Sequence, residues 1–227
     1  MYIMLSRPHD QRSGVPGWSR GLECGRSQSA TIRAGRCGVV IPERFVRALD
    51  GFEAVLVAVP PDRWLSPSPC EGWCAIDVAG HVTAGLLVVE LRAAGLPLPQ
   101  DDPDWREVAG EDPVASWRAV RARMTAELTA EALARRITLG FGDVVTVSEW
   151  LEHSPVELLV HTWDLAQATG QEVVFEADLV AAALETAREF ASRGRAAGKV
   201  GPERVLPEGA ADQERLLALF GRTPLGG

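Results

Sequence analysis

Glu157 and His161 stand four residues apart in an apolar stretch. On an α-helix that spacing stacks two side chains on one face, with Cβ atoms about 5–6 Å apart. A carboxylate and an imidazole placed this way can share one ion. The chain has four histidines, and a third ligand is available in His81. Gly80, Ala84 and Gly85 lie beside it and leave room for an imidazole. Two imidazoles and a carboxylate suit a divalent transition metal, zinc foremost, with nickel or iron as alternatives. Three protein ligands leave coordination positions open, as catalytic sites do and closed structural sites do not. An ion held there would lower the pKa of a coordinated water or thiol and so supply a nucleophile at neutral pH.

Each residue also has a plainer reading. Ser154-Pro155-Val156-Glu157 fits a capping box, with Ser154 as N-cap, Pro155 at the first helical position and Glu157 at the third. His81 and His161 could be satisfied core histidines. His153, four before Glu157, could add a fourth ligand or pocket wall, unless Pro155 turns it aside. Asp164, three after His161, could accept from its imidazole N–H or cap a surface turn. Trp163 could line the pocket or fill the core. Cys70 and Cys74 form a C-x₃-C pair that could complete a four-cysteine zinc site with Cys24 and Cys37, supply a reactive thiol at a helix start, or be buried spectators.

The elements that must carry these residues follow from apolar periodicity. Phe45, Leu49, Phe52, Val55, Leu56 and Val59 recur at helical spacing, and Pro60-Pro61 ends that helix. A second helix is expected over Ala75 to Ala94, with Asp77 in its first turn and Gly95 as its stop. An acidic loop, Gln100 to Asp104, leads to a third helix over Pro113 to Leu133. Ile137 to Val147 changes period and reads as a hairpin turning at Gly142-Asp143. A fourth helix is expected over Val147 to Thr169 with Pro155 inside it, a fifth over Ala177 to Arg193, and a last short one over Asp212 to Phe220. The expected fold is mostly α, a helical bundle with a small β-hairpin and extra C-terminal helices.

Residues 1–40 are Gly-, Ser- and Arg-rich without apolar period, and read as disordered or as a mis-assigned upstream extension. Residues 41–227 then form the helical domain. Six arginines against two acids make the first forty residues basic, while the whole chain carries −8. That acidic balance argues against nucleic acid and against an anionic membrane. No apolar run reaches the ~18 residues of a membrane span, and no basic-then-apolar leader opens the chain, so a cytoplasmic protein is expected. The oligomeric state stays open, a homodimer among its outcomes.

The motifs are familiar in combination. Pro69-Cys70-Glu71-Gly72-Trp73 followed by Asp77-Val78-Ala79-Gly80-His81, then Glu157-Leu158-Leu159-Val160-His161-Thr162-Trp163-Asp164, resemble the two ligand-bearing motifs of the mycothiol-dependent maleylpyruvate isomerase metal-binding domains, of the DinB-like superfamily. The ending Gln213 to Arg222 resembles an actinobacterial subgroup of metal-binding proteins in that family. The resemblance implies a DinB-like four-helix bundle, His81, Glu157 and His161 as ligands of one divalent metal, and mycothiol as a thiol co-substrate for S-transfer or isomerisation of a small electrophile. Cys74 departs from the threonine that many relatives carry, a better helix N-cap. Full isomerases also carry a second α/β domain, whereas the residues after Gly170 here read as helix and loop, so maleylpyruvate itself is not the expected substrate. A non-catalytic metal-binding or sensing bundle and a metal-dependent hydrolase are the competing expectations.

Overall fold

The structure, a computed structural model, describes residues 40–140 and 142–223. The reading of residues 1–40, and with it His9, Cys24 and Cys37, falls outside the described residues except for Val40. The described residues form helices α1 (Glu43–Val57), α2 (Ala75–Ala94), α3 (Trp105–Ala109), α4 (Pro113–Glu127), α5 (Ala130–Ala134), α6 (Val147–His153), α7 (Pro155–Thr169), α8 (Ala177–Ala196) and α9 (Asp212–Leu219). Two short strands, β1 (Arg136–Thr138) and β2 (Val144–Thr146), pair antiparallel with Ile137 opposite Val145.

Four helices close a ring: α1 packs on α7, α7 on α2, α2 on α4, and α4 back on α1. Each presents an apolar stripe inward. Phe45, Leu49, Phe52 and Leu56 of α1 meet Trp117 and Met124 of α4, Val78, Val82 and Val89 of α2, and Leu158 and Leu165 of α7 in one buried core. α7 is apolar on a second face too. Val156, Leu159 and Val160 join Leu179, Val180 and Ala183 of α8 and Leu216, Leu219 and Phe220 at α9 in a separate cluster. This explains why α7 reads as apolar nearly all round: it is sandwiched between two cores.

Local chemistry sets the boundaries. Asp77 folds back on α2's N-terminus and accepts the Cys74 backbone N–H at 2.8 Å. Gly95, at φ 71°, closes α2 with a left-handed turn, and Leu96 N–H reaches Leu91 O at 2.8 Å. The expected helix over Pro113 to Leu133 is instead two, because Thr129 caps a new start by accepting the Ala132 N–H at 3.1 Å. The expected Val147 to Thr169 helix is also two. Pro155 has no N–H to give Leu151, and the axis breaks between α6 and α7. A short helix, α3, emerges after the acidic loop. Asp104 nucleates it by accepting the Arg106 and Glu107 N–H groups. Arg106 then reaches Asp77 at 2.9 Å, tying α3 across the start of α2.

Candidate metal centre

Gly80 permits the closest approach in the site. A Cβ there would lie 1.8 Å from the Trp105 carbonyl oxygen, so only glycine lets α3 rest on α2 one residue before His81. The indole of Trp105 consequently meets the His81 ring edge-on at a centroid distance of 5.1 Å. Trp73, from the loop before α2, sits 4.8 Å from His81 and lies nearly parallel to His161 at 6.3 Å. The two imidazoles are themselves 4.7 Å apart, edge to face. Two histidines on α2 and α7 are thus brought together and walled by two indoles.

Glu157 completes the group. Ligand atoms of His81, Glu157 and His161 all lie within 4.8 Å of one another. One turn separates Glu157 from His161 on α7, and the ring packing of α2 on α7 supplies His81. All three line a cavity of about 460 Å³, counting its open mouth. Its remaining wall is mostly apolar, with Phe45, Val82, Leu86, Val89, Trp150 and Leu158. Burial in this wall pushes the Glu157 carboxyl up to about 7, against a partial pull downward from Lys199.

The histidines are prepared differently. His81 is 5% exposed, and its Nδ1 has no hydrogen-bond partner among the described residues. Burial, and then its neighbour His161, hold it well below the usual imidazole range, so it stays neutral with a lone pair to offer. An orphaned polar atom this deep costs roughly 1–3 kcal/mol unless something occupies it. His161 is anchored: its Nδ1 lies 3.0 Å from Asp164 Oδ2. Burial alone would raise Asp164, but Arg222 and His161 outweigh it and hold the carboxyl well below the ordinary range. Against a carboxylate, Nδ1 must carry the proton, which leaves Nε2 as the lone-pair nitrogen. The donor set therefore suits a divalent metal: two imidazoles and one carboxyl group, one nitrogen orphaned and the other ring fixed by a buried acid.

Behind His161 lies a second cluster. Arg222 grips Asp164 with two bonds, Nε to Oδ1 at 3.1 Å and Nη2 to Oδ2 at 2.8 Å. The Cys70 thiol donates to Asp164 Oδ2 at 3.2 Å, and Arg222 Nη2 reaches Cys70 Sγ at the same distance. Burial, and then the Asp164 charge, push the Cys70 thiol up, so it stays protonated. Ligand atoms of Cys70, His161 and Asp164 are also close enough to share an ion. The guanidinium, however, already supplies the positive charge there, and a metal would have to displace it.

Some expectations are redirected by these positions. Ser154 is no N-cap: it sits in helical geometry at φ −63°, makes no capping bond, and gives its hydroxyl to Trp150 O at 3.0 Å. The capping-box reading of Ser154 and Glu157 is therefore overturned, because Ser154 is already in helical geometry and its side chain makes no bond to the first turn of α7. Glu157 is left without a hydrogen-bond partner among the described residues and faces the cavity. His153 is exposed and turned toward α8, its ring 6.4 Å from Phe190, and it joins neither ligand group. Trp163 is buried but does not line the cavity. Asp164 takes the place of an acid behind His161 rather than a surface cap. Cys70 and Cys74 are free thiols. Trp105 and Arg222 emerge only in three dimensions, since no local spacing links residue 105 to 81 or 222 to 164.

The ring of four helices thus carries a candidate metal-ligand group, His81, Glu157 and His161, between two of its members. The chain belongs to the family of the mycothiol maleylpyruvate isomerase N-terminal domain, which it matches over residues 45–166. That stretch contains His81, Glu157, His161, Cys70 and Asp164 but ends well before Arg222. Uncharacterized protein Rv0738 of Mycobacterium tuberculosis is 29% identical over 179 residues, covering 78% of this chain and 94% of that one. Uncharacterized protein Rv0036c of the same organism is 27% identical over 137 residues, 53% of each chain. The crystal structure of the mycothiol-dependent maleylpyruvate isomerase shares the fold, with a TM-score of 0.55 at 16% identity over 72% of this chain and 74% of that one. A histidine-to-alanine mutant of that isomerase superposes with a TM-score of 0.51 at 18% identity and the same coverage.

Proposed function

We propose that this chain is a divalent-metal-dependent enzyme of thiol chemistry, with His81, Glu157 and His161 as the metal ligands, zinc as the resident ion and mycothiol as the thiol co-substrate in S-transfer or isomerisation of a small electrophile. The observation that carries this reading is the deep Nδ1 of His81, without a partner among the described residues, with Glu157 and His161 atoms within 4.8 Å. Family membership supports mycothiol as the thiol. A divalent ion bound there would lower the pKa of a thiol it coordinates toward the neutral range.

The chain's own residues do the rest. Asp164 fixes the tautomer and angle of His161. Trp73 and Trp105 pack against the histidine rings on the side toward α3. The apolar wall of Phe45, Val82, Leu86, Val89 and Leu158 takes the carbon skeleton of the electrophile and keeps the dielectric low, where a developing charge is felt strongly. We place the protein in the cytoplasm, where such thiols are reduced; no described helix is long and apolar enough to cross a membrane.

The test is metal content by mass spectrometry on untagged protein purified without added metal, beside His81→Ala and His161→Ala. About one equivalent of zinc, lost in both variants, followed by mycothiol consumption with a model electrophile, is the expected result. Metal without any thiol turnover would leave a non-catalytic metal-binding bundle. Thiol-independent ester or amide cleavage would make it a hydrolase. No metal, even after reconstitution, would overturn the assignment.

A further inference from the structure

We infer that Arg222, from the segment after α9, is a positioning residue for the metal centre: it holds Asp164 against His161 and, by occupying the Asp164 and Cys70 side, directs the ion to His81, Glu157 and His161. The inference rests on the proposed ligand assignment and extends it beyond the family-matched stretch.

The geometry is specific. Asp164 is fully buried, and its Oδ2 is approached by three groups: His161 Nδ1 at 3.0 Å, Arg222 Nη2 at 2.8 Å and Cys70 Sγ at 3.2 Å. Arg222 spans both carboxylate oxygens, which fixes the plane of the acid as well as its place. Only arginine offers that planar fork; a lysine ammonium could reach one oxygen but not set the plane. The guanidinium is itself held. Its Nη1 donates to Phe220 O at 2.9 Å, and its backbone N–H bonds to Leu217 O at 3.1 Å. Phe220 and Leu219 in turn belong to the core shared by α7, α8 and α9. The C-terminal helix thereby delivers a charge to the rear of His161.

Two ligand groups share His161: one with His81 and Glu157, the other with Cys70 and Asp164. Without Arg222, the second group would be an anionic, sulfur-containing pocket attractive to a soft or borderline ion. With Arg222 in place, its charge is already matched. A buried carboxylate without its two-point guanidinium grip would also be free to rotate away from His161. It would then no longer require His161 to carry its proton on Nδ1, and the Nε2 lone pair would be lost part of the time.

The experiment uses the full chain and the variants Arg222→Gln, Arg222→Lys and Arg222→Gln/Cys70→Ser. Zinc affinity is measured by competition with a chromophoric chelator, cobalt(II) absorption reports sulfur ligation, and the His161 tautomer is read by long-range ¹H–¹⁵N NMR on metal-free protein. Arg222→Gln is expected to bind zinc about 10–100-fold more weakly, the usual effect of removing a group that orients a ligand. It should also show a mixed His161 tautomer and a thiolate-to-cobalt band absent from the wild type. That band should vanish in the double variant. Arg222→Lys should recover part of the affinity. A residue that only pins the C-terminal segment would lower the melting temperature and leave the tautomer and the cobalt spectrum unchanged. Should Arg222→Gln fail to fold, Arg222→Lys carries the test through the same readouts. Wild-type affinity, tautomer and spectrum in the folded variants would overturn the role of Arg222 while leaving the ligand assignment standing. Absence of metal from the wild type would overturn both.

Discussion

Replacing Glu157 by glutamine in metal-free protein isolates the cost of holding a carboxylate in an apolar cavity. Burial raises this group from 4.5 to about 7. Converted by linkage, that displacement is worth about 3 kcal/mol, and solvent at the cavity mouth trims it toward about 2. The folded pKa lies above the unfolded one, so between them the native state holds more protons. Stability is therefore fully present below about pH 4.5 and is lost as pH rises through about 7. Glutamine has the same shape and no charge to ionise. The assay is urea unfolding of both proteins, stripped of metal, in half-unit steps from about pH 4 to 8, a window that brackets the two pKa values. Asp102, also raised by burial, to about 6, tilts both curves alike, so the difference between them is the observable. Glu157→Gln should gain about 2 kcal/mol on the wild type across that window. Saturating zinc should reverse the order, because the ion requires the ionised carboxylate and stabilises the native state by mass action. A wild-type-minus-variant difference that stays flat with pH would refute the placement of this carboxyl in the apolar wall.

Three other perturbations probe the frame that carries the site. Gly80→Ala drives a methyl into the Trp105 carbonyl at 1.8 Å and must displace α3, costing about 2–3 kcal/mol by the overpacking rule; thermal unfolding and a shifted tryptophan emission would report it. Asp77→Ala removes the acceptor of the Cys74 N–H and the anchor of Arg106, with an expected loss of about 2 kcal/mol by urea titration, whereas Asp77→Asn, which keeps an acceptor, should lose about half as much. Leu165→Ala, at a fully buried position where α7 meets the four-helix core, should cost about 3 kcal/mol and lower the melting temperature by roughly 6–12 °C without changing zinc stoichiometry.

Legibility in the sequence divides along the range of the interaction. The α2 limits are local facts, since Asp77 and Gly95 act within a turn of their own backbone, and Ala75 to Ala94 is both the expected and the observed helix. The hairpin is equally local, fixed by the turn at Gly142. Thr129 shows the limit of periodicity. Apolar spacing continues from Met124 through Leu128 to Leu133, yet one hydroxyl accepting one N–H breaks the helix in two. Ser154 shows the opposite error. It has the composition of a cap, but it sits in helical geometry between α6 and α7, and the serine spends its hydroxyl on Trp150 O. That choice leaves Glu157 without a part in a cap, and its side chain lines the cavity instead. The pairing of Glu157 with His161 needs only helical geometry. His81 needs α2 to pack on α7, which the sequence implies through resemblance but not through spacing. Trp105 and Arg222 need more still. One arrives because Gly80 lacks a side chain, the other because α9 buries Phe220 against α7 and α8. Both contacts are set by packing between distant segments, and a sequence records such packing only as a glycine among apolar neighbours and an arginine after a short amphipathic helix.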